Sequence, residues 1–340
     1  MGAVSPRETA LLRADQPADM AEAGRLITAG RLVAVPTETV YGLAADASNE
    51  AAVEAIFAAK GRPRTHPLIV HLGAIDQLEE WATEVPDWVA PLVHAFWPGP
   101  LTLLLERHPR VSDVVTGGLP TIGLRMPAHP ALLHLLREHR LAVAAPSANR
   151  YQKLSPTSAA QVMAGMAGRI DAVLDGGPCS VGTESTILRV TDERAEILRA
   201  GPIAAAALQE HLSVPVHAPL EHAIAVPGNQ RVHYQPNAPI QLLSAAELEA
   251  RLPLATDDTG CLVHSADMAG VGRARCVQMP SDHDGYRRQL YRALHDLDQA
   301  GVARIWVERP PTDPDWLDIR DRLHRAAARS PSTDPAEEAQ

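Results

Sequence analysis

Short apolar, β-rich runs alternate with segments of helical spacing over the first two hundred residues of this 340-residue chain, and this alternation constrains its fold most. "PADMAEAGRLITAG" reads as a helix that stops at Gly30, and "RLVAVP" as the buried strand that follows. "NEAAVEAIFAAKG" predicts a helix capped by Asn49, and "PLIVHL" a second strand. "LTLLLE", "TIGLRM", "LAVAAP", "DAVLD", "STILRV" and "AEILRA" supply more strands, with helices near 86–96, 129–138 and 157–167 between them. Strands this short and numerous predict an α/β fold with a twisted mixed sheet flanked by helices, not a simple alternation of parallel strands.

The pattern fails over 213–238, a proline-rich stretch longer than structureless loops usually run, so it reads as a linker with a task of its own. Beyond it, "PIQLLS", "AAELEARL", "TGCLVHS", "DHDGYRRQLYRALHDLDQAG", "VARIWVE" and "DWLDIRDRLHRAAA" predict a second, smaller α/β domain. The expected division is an N-terminal extension over 1–14, a first domain over 15–212, the linker over 213–238, a C-terminal domain over 239–328 and a flexible tail over 329–340. No run approaches a membrane span, and the first residues lack the apolar stretch of a secretory signal, so a cytoplasmic protein with no membrane partner is expected. Cys179, Cys261 and Cys276 stand far apart, which argues against a zinc site or a disulfide framework. A net charge of −10 opposes tight non-specific binding to nucleic acid but leaves room for a local basic cleft. Of the 31 Lys and Arg residues only Lys60 and Lys153 are lysines, and a compact ammonium does not replace a guanidinium fork.

The familiar phosphate-loop, dinucleotide and nucleophile-elbow motifs are missing. Instead, polar residues gather where strands end, which is where open α/β sheets assemble sites. "PTETVYG" offers hydroxyls after the first buried strand, and "KGRPRTHPLIVHL" packs Lys60, Arg62, Arg64 and His66 before a strand that carries His71. "TIGLRMP" puts Arg125 in an apolar strand, where it needs either a carboxylate within the protein or one on a substrate. "LAVAAPSANRYQKLSP" presents Ser147, Asn149 and Ser155; "DGGPCSVGTESTI" and "ILRAGP" present Ser185 and Arg199. Each cluster alone also fits an ordinary turn or a solvated loop. Together, Lys60, Arg62, Arg125 and Arg199 would suit a substrate carrying several negative charges.

The order "PTETVYG", "KGRP", "HPLIVHL", "WPGPLTLLL", "GLRMPAHP", "APSAN", "DGGPCSVGTESTI" and "RAGPI" resembles the threonylcarbamoyl-AMP synthase family, the YrdC-like proteins, over about residues 15–210. "VPGNQRVHYQP" and "LDQAGVARIWVE" are similar to the long form of that family, which carries an extra Rossmann-like domain. The resemblance implies an enzyme that condenses L-threonine, bicarbonate or CO2, and ATP into threonylcarbamoyl-AMP and pyrophosphate. A downstream threonylcarbamoyl transferase complex would then modify tRNA, so this chain would meet tRNA only indirectly. Mg2+ would arrive with ATP, and no protein side chain would be a metal ligand.

Carried over by position, the resemblance makes Lys60, Arg62, Ser147 and Asn149 the catalytic set that holds phosphates and carbamate. Threonine would be bound by Thr39, His71, Arg125, the backbone at Ala145, and Ser185. ATP would meet Arg62, His66, Thr121, Ser147, Ser155 and Arg199, with Tyr234 of the linker folding over the nucleotide. The chain departs from the family pattern with "HYQP" for "HYAP", "VPG" for "SPG", "RYQKLSP" after "SAN", and His66 where Asn is frequent. Two other readings compete. A non-catalytic RNA- or tRNA-binding protein could use the same basic cleft, while the related carbamoyl transferase of hydrogenase maturation would need zinc-finger cysteine pairs that this sequence lacks.

Overall fold

The computed structural model describes residues 8–219, 224–265 and 272–328. They cluster into two compact units. The first takes the chain up to Tyr151, Ser155–Asn229 and Arg287–Arg292; the second takes Gln152–Leu154, Gln230–Tyr286 and the chain from Ala293. The expected linker is divided between them after Asn229, while the expected tail, 329–340, lies outside the described residues.

Eleven strands build the sheet of the first unit. They are β1 (Ala10–Arg13), β2 (Val33–Val35), β3 (Gly42–Asp46), β4 (Ile69–Leu72), β5 (Leu101–Glu106), β6 (Thr121–Arg125), β7 (Ala142–Ala144), β8 (Ala172–Asp175), β9 (Thr186–Val190), β10 (Ala195–Arg199) and β11 (Val216–His217). Their order is β1-β8-β2-β3-β7-β4-β6-β5-β9-β10-β11, with parallel and antiparallel neighbours mixed as expected. The N-terminal segment is more than an extension, because β1 pairs in parallel with β8.

Successive side chains in a strand point to opposite faces. Ala34, Leu43, Ala45, Ala142, Ala144 and Val173 accordingly join one apolar core. Their neighbours Val33, Val35, Ala44, Val143, Ala172 and Leu174 join another on the opposite face. Both faces are covered, which is why these strands read as continuous apolar runs. Helix α1 (Pro17–Thr28) packs Ala23 and Ile27 into the second core. Helix α2 (Glu50–Lys60) starts at Asn49, whose side chain accepts from the Ala52 amide, and stops at Gly61 in the left-handed conformation.

The second unit holds β12 (Ile240–Leu243), β13 (Thr259–Val263), β14 (Arg275–Gln278) and β15 (Arg304–Glu308), all parallel, in the order β12-β15-β13-β14. Helices Ala245–Arg251, His283–Gln299 and Leu317–Ala327 follow the sequence reading. Cys179 and Cys261 are buried and Cys276 is half-buried, all as free thiols. No described helix is long and apolar enough to cross a membrane.

Gly201 shows how tightly the backbone closes around the site. A Cβ there would lie 2.3 Å from the Thr186 amide nitrogen and 2.6 Å from the Ser185 carbonyl carbon, both of them backbone atoms that cannot swing away. Gly201→Ala is expected to lower stability by about 1–3 kcal/mol in urea denaturation; an unchanged midpoint would contradict this packing.

Candidate active site

The periodicity of α2 decides where Lys60 points. Val53, Ile56, Phe57 and Lys60 share its buried face, so the last residue of the apolar stripe is a lysine, left only 3% exposed. Its Nζ donates to the carbonyls of Ser147 and Asn149, each at 2.5 Å. No carboxylate pairs with it among the described residues. Burial, and secondarily the Arg62 guanidinium, holds the Lys60 ammonium well below its ordinary pKa. Gly61, at φ 66°, turns the chain so that Arg62 is also buried and its Nη2 donates to the Pro67 carbonyl at 3.1 Å.

The turn after β7 is pinned from both sides. The Ala145 amide donates to Ile69, the Leu43 amide to Pro146 and the Ala148 amide to Tyr41, while the Tyr151 amide donates to the Lys60 carbonyl. These bonds set Ser147 and Asn149 against the end of α2. His66 stacks at a tilt on Tyr151, with ring centroids 5.7 Å apart, and burial followed by Arg62 lowers its pKa. Thr121 opens β6; since Ile69 is the partner of Gly123, continuing the register sets Thr121 beside Pro67. Lys60, Arg62, His66, Thr121, Ser147 and Asn149 therefore gather toward the amino ends of β4 and β6.

A second group sits at the carboxyl ends of the same strands, where His71 of β4 is the partner of Arg125 of β6. Arg125 is 4% exposed. Its Nε donates to the Gly99 carbonyl at 3.1 Å, Nη1 to Thr39 Oγ1 at 3.1 Å, and Nη2 to Glu38 Oε1 at 2.5 Å. Arg125 thus has a carboxylate partner inside the protein. Arg199 donates from Nε to the Ser185 carbonyl at 3.0 Å, from Nη2 to Ser185 Oγ at 2.9 Å, and from Nη1 to Pro227 O at 2.9 Å. Ser185 Oγ lies 2.7 Å from Thr102 Oγ1. Ser155 donates to Glu184 Oε1 at 2.6 Å, one residue before Ser185.

Tyr234 lies in the second unit. It is buried there at φ 60°, with the Arg322 guanidinium 5.3 Å from its ring centroid. Lys153 is exposed in that unit and donates to Asn237 Oδ1 at 2.7 Å. The sequence reading passed over Glu38, Thr37, Thr102 and Glu184. Thr37 and Glu38 stand inside the quoted "PTETVYG", and the need of a buried Arg125 for a carboxylate was the signal that could have singled out Glu38.

The comparisons with known proteins identify the family. The Sua5/YciO/YrdC family, described as "Telomere recombination", matches residues 25–201, and "Threonylcarbamoyl-AMP synthase, C-terminal domain" matches residues 194–328. The threonylcarbamoyl-AMP synthase of Bacillus subtilis is 38% identical over 91% of this chain and 92% of its own length. The chain belongs to the threonylcarbamoyl-AMP synthase family. That of Pyrococcus abyssi is 35% identical over 90% of this chain and 93% of its own. A crystal structure of P. abyssi Sua5 complexed with L-threonine superposes with a TM-score of 0.84 and 33% identity, covering 94% of this chain and 97% of that one. Membership makes this chain an enzyme of the nucleotidyltransferase kind.

In this family member, His71 is kept neutral. Burial pushes its pKa down to about 3, and the nearby Arg125 and Arg199 cations add to the effect. The unfolded chain binds a proton on His71 below about pH 6.5 while the folded chain does not, so acidification from 6.5 toward 3 removes about 1.4 kcal/mol per pH unit through this residue. The stability gap between wild type and His71→Gln, from urea denaturation, is expected to narrow between pH 7 and pH 5. A gap independent of pH would contradict a buried neutral imidazole.

Proposed function

We propose that the first unit condenses L-threonine, bicarbonate or CO2, and ATP into threonylcarbamoyl-AMP with release of pyrophosphate. The observation that carries this reading is the division of buried cationic and hydroxyl groups along β4 and β6. Lys60 and Arg62 mark one end, Arg125 the other. A triphosphate and an amino-acid carboxylate would supply the negative charge that the two groups call for. The solved relative bound to L-threonine supports the amino-acid half.

In this reading Arg125 receives the threonine carboxylate, with Thr39, His71, Ser185 and the backbone at Ala145 shaping the rest of that subsite. Thr39 Oγ1 accepts from Arg125 and lies 2.8 Å from Thr37 Oγ1, which itself donates to the Val40 carbonyl. Thr39 therefore gives its proton to Thr37 and faces a substrate only as an acceptor, which suits an ammonium or amine. The neutral amine adds to CO2, which bicarbonate supplies by losing hydroxide, and sheds a proton to that hydroxide to give the carbamate and water; a carbamate oxygen then attacks the α-phosphate as pyrophosphate leaves. No protein nucleophile is required. Lys60, Arg62, Ser147 and Asn149 would orient the reacting groups, and His66, Thr121, Ser155 and Arg199 would complete the ATP contacts.

Among the described residues no group of three or more His, Cys, Asp and Glu could hold a metal ion. Mg2+ would be held by the ATP phosphates, whose oxygens it prefers, and would supply charge neutralisation there. The product would pass to a threonylcarbamoyl transferase complex acting on tRNA in the cytoplasm.

Purified protein given threonine, bicarbonate, Mg-ATP and pyrophosphatase is expected to form AMP-linked threonylcarbamate, followed by chromatography. Threonine-independent ATP consumption, or none, would contradict the reading. Arg125→Ala is expected to weaken threonine binding by about 10- to 100-fold with a smaller change for ATP; equal losses would contradict the carboxylate role.

A further inference from the structure

We propose that Glu38 is a positioning residue for the substrate carboxylate, acting by fixing the orientation of Arg125; the inference rests on the reading of Arg125 given above. Glu38 is 5% exposed and uses both carboxylate oxygens inside the protein. Oε1 accepts from Arg125 Nη2 at 2.5 Å, and Oε2 accepts from the Ala128 amide at 3.0 Å. The backbone around Glu38 is held as well, since its carbonyl accepts from the Val181 amide at 2.7 Å. The carboxylate therefore ties the end of β6, and the segment just beyond it, to a loop that cannot drift.

Counting the hydrogens of Arg125 shows what this tie leaves for a ligand. A guanidinium has five N–H groups. The Nε–H goes to Gly99, one Nη1–H to Thr39 and one Nη2–H to Glu38. One N–H remains on each terminal nitrogen, leaving two donors for a substrate carboxylate. Without Glu38 the guanidinium would keep the Gly99 and Thr39 bonds but gain a third uncommitted N–H and the freedom to turn.

Only a carboxylate fills the Glu38 position. Arg125 and the Ala128 amide both present donors, so two acceptors are needed on one side chain. Glutamine offers one carbonyl oxygen and one amide nitrogen, and one of the two contacts would then set donor against donor. Charge and position also pull in opposite directions here. Removing the negative charge beside Arg125 would, by Coulomb's law alone, tighten the hold on an anionic ligand; loss of orientation would loosen it.

The test measures binding of L-threonine, of threoninol, which replaces the carboxylate with an alcohol, and of ATP to wild type and Glu38→Gln by calorimetry. Threonine affinity is expected to fall by about tenfold or more in E38Q. Threoninol affinity should stay unchanged and ATP affinity should stay within about threefold, because neither ligand uses the oriented Arg125 pair. Tighter threonine binding in E38Q, unchanged threonine binding, or equal losses for threonine and threoninol would each overturn the inference. Should E38Q not fold, Glu38→Asp carries the same comparison, since it keeps both acceptors on an arm one methylene shorter. Wild-type protein that binds no threonine would instead overturn the functional reading on which this one stands.

Discussion

Positive charge taken out of water sets the terms for this site. Lys60, Arg62, Arg125 and Arg199 are all 8% exposed or less, and an uncompensated buried cation is among the most expensive features a fold can carry. The protein compensates them unequally. Arg125 has Glu38, and Arg199 is wrapped by the carbonyl and hydroxyl of Ser185. Among the described residues Lys60 is met by two carbonyls and no carboxylate, and burial, followed by Arg62, holds its ammonium well below the ordinary range.

The fold makes the arrangement possible through register. Pairing of β4 with β6 puts His71 beside Arg125, while the antiparallel approach of β7 to β4 leads the Ala145–Asn149 turn back over the end of α2. Glycines allow the close passages. Gly61 turns the chain out of α2 at positive φ, and Gly201 lies against the Ser185 and Thr186 backbone where no Cβ would fit. The side chains at these strand ends are therefore held by the protein itself, which is the condition for electrostatic preorganisation.

Much of this was legible in the sequence because doubly covered strands leave a strong apolar signature. β4 through β10 and the second unit's helices Ala245–Arg251, His283–Gln299 and Leu317–Ala327 stand where the pattern puts them. β1 escaped because Ala10–Arg13 has one buried residue in four, and β14 because Arg275–Gln278 has none, so neither contrasts with a loop. The cationic residues were legible as interruptions of apolar runs. Glu38 was not, because the need of Arg125 for a carboxylate does not say which one answers it, and the partner stands 87 residues away. The same holds for Thr102, whose hydroxyl meets Ser185 across 83 residues. The expected linker broke differently, since composition cannot tell that residues up to Asn229 pack with the first unit while Tyr234 is buried in the second.

The claim at the centre is that the buried Lys60 ammonium, met by two carbonyls and by no carboxylate among the described residues, takes the phosphates of ATP as its counter-charge. Calorimetric titration of ATP into wild type and Lys60→Met measures this directly. The account predicts ATP binding about tenfold weaker or more in Lys60→Met. Equal ATP affinity in the two proteins would contradict it.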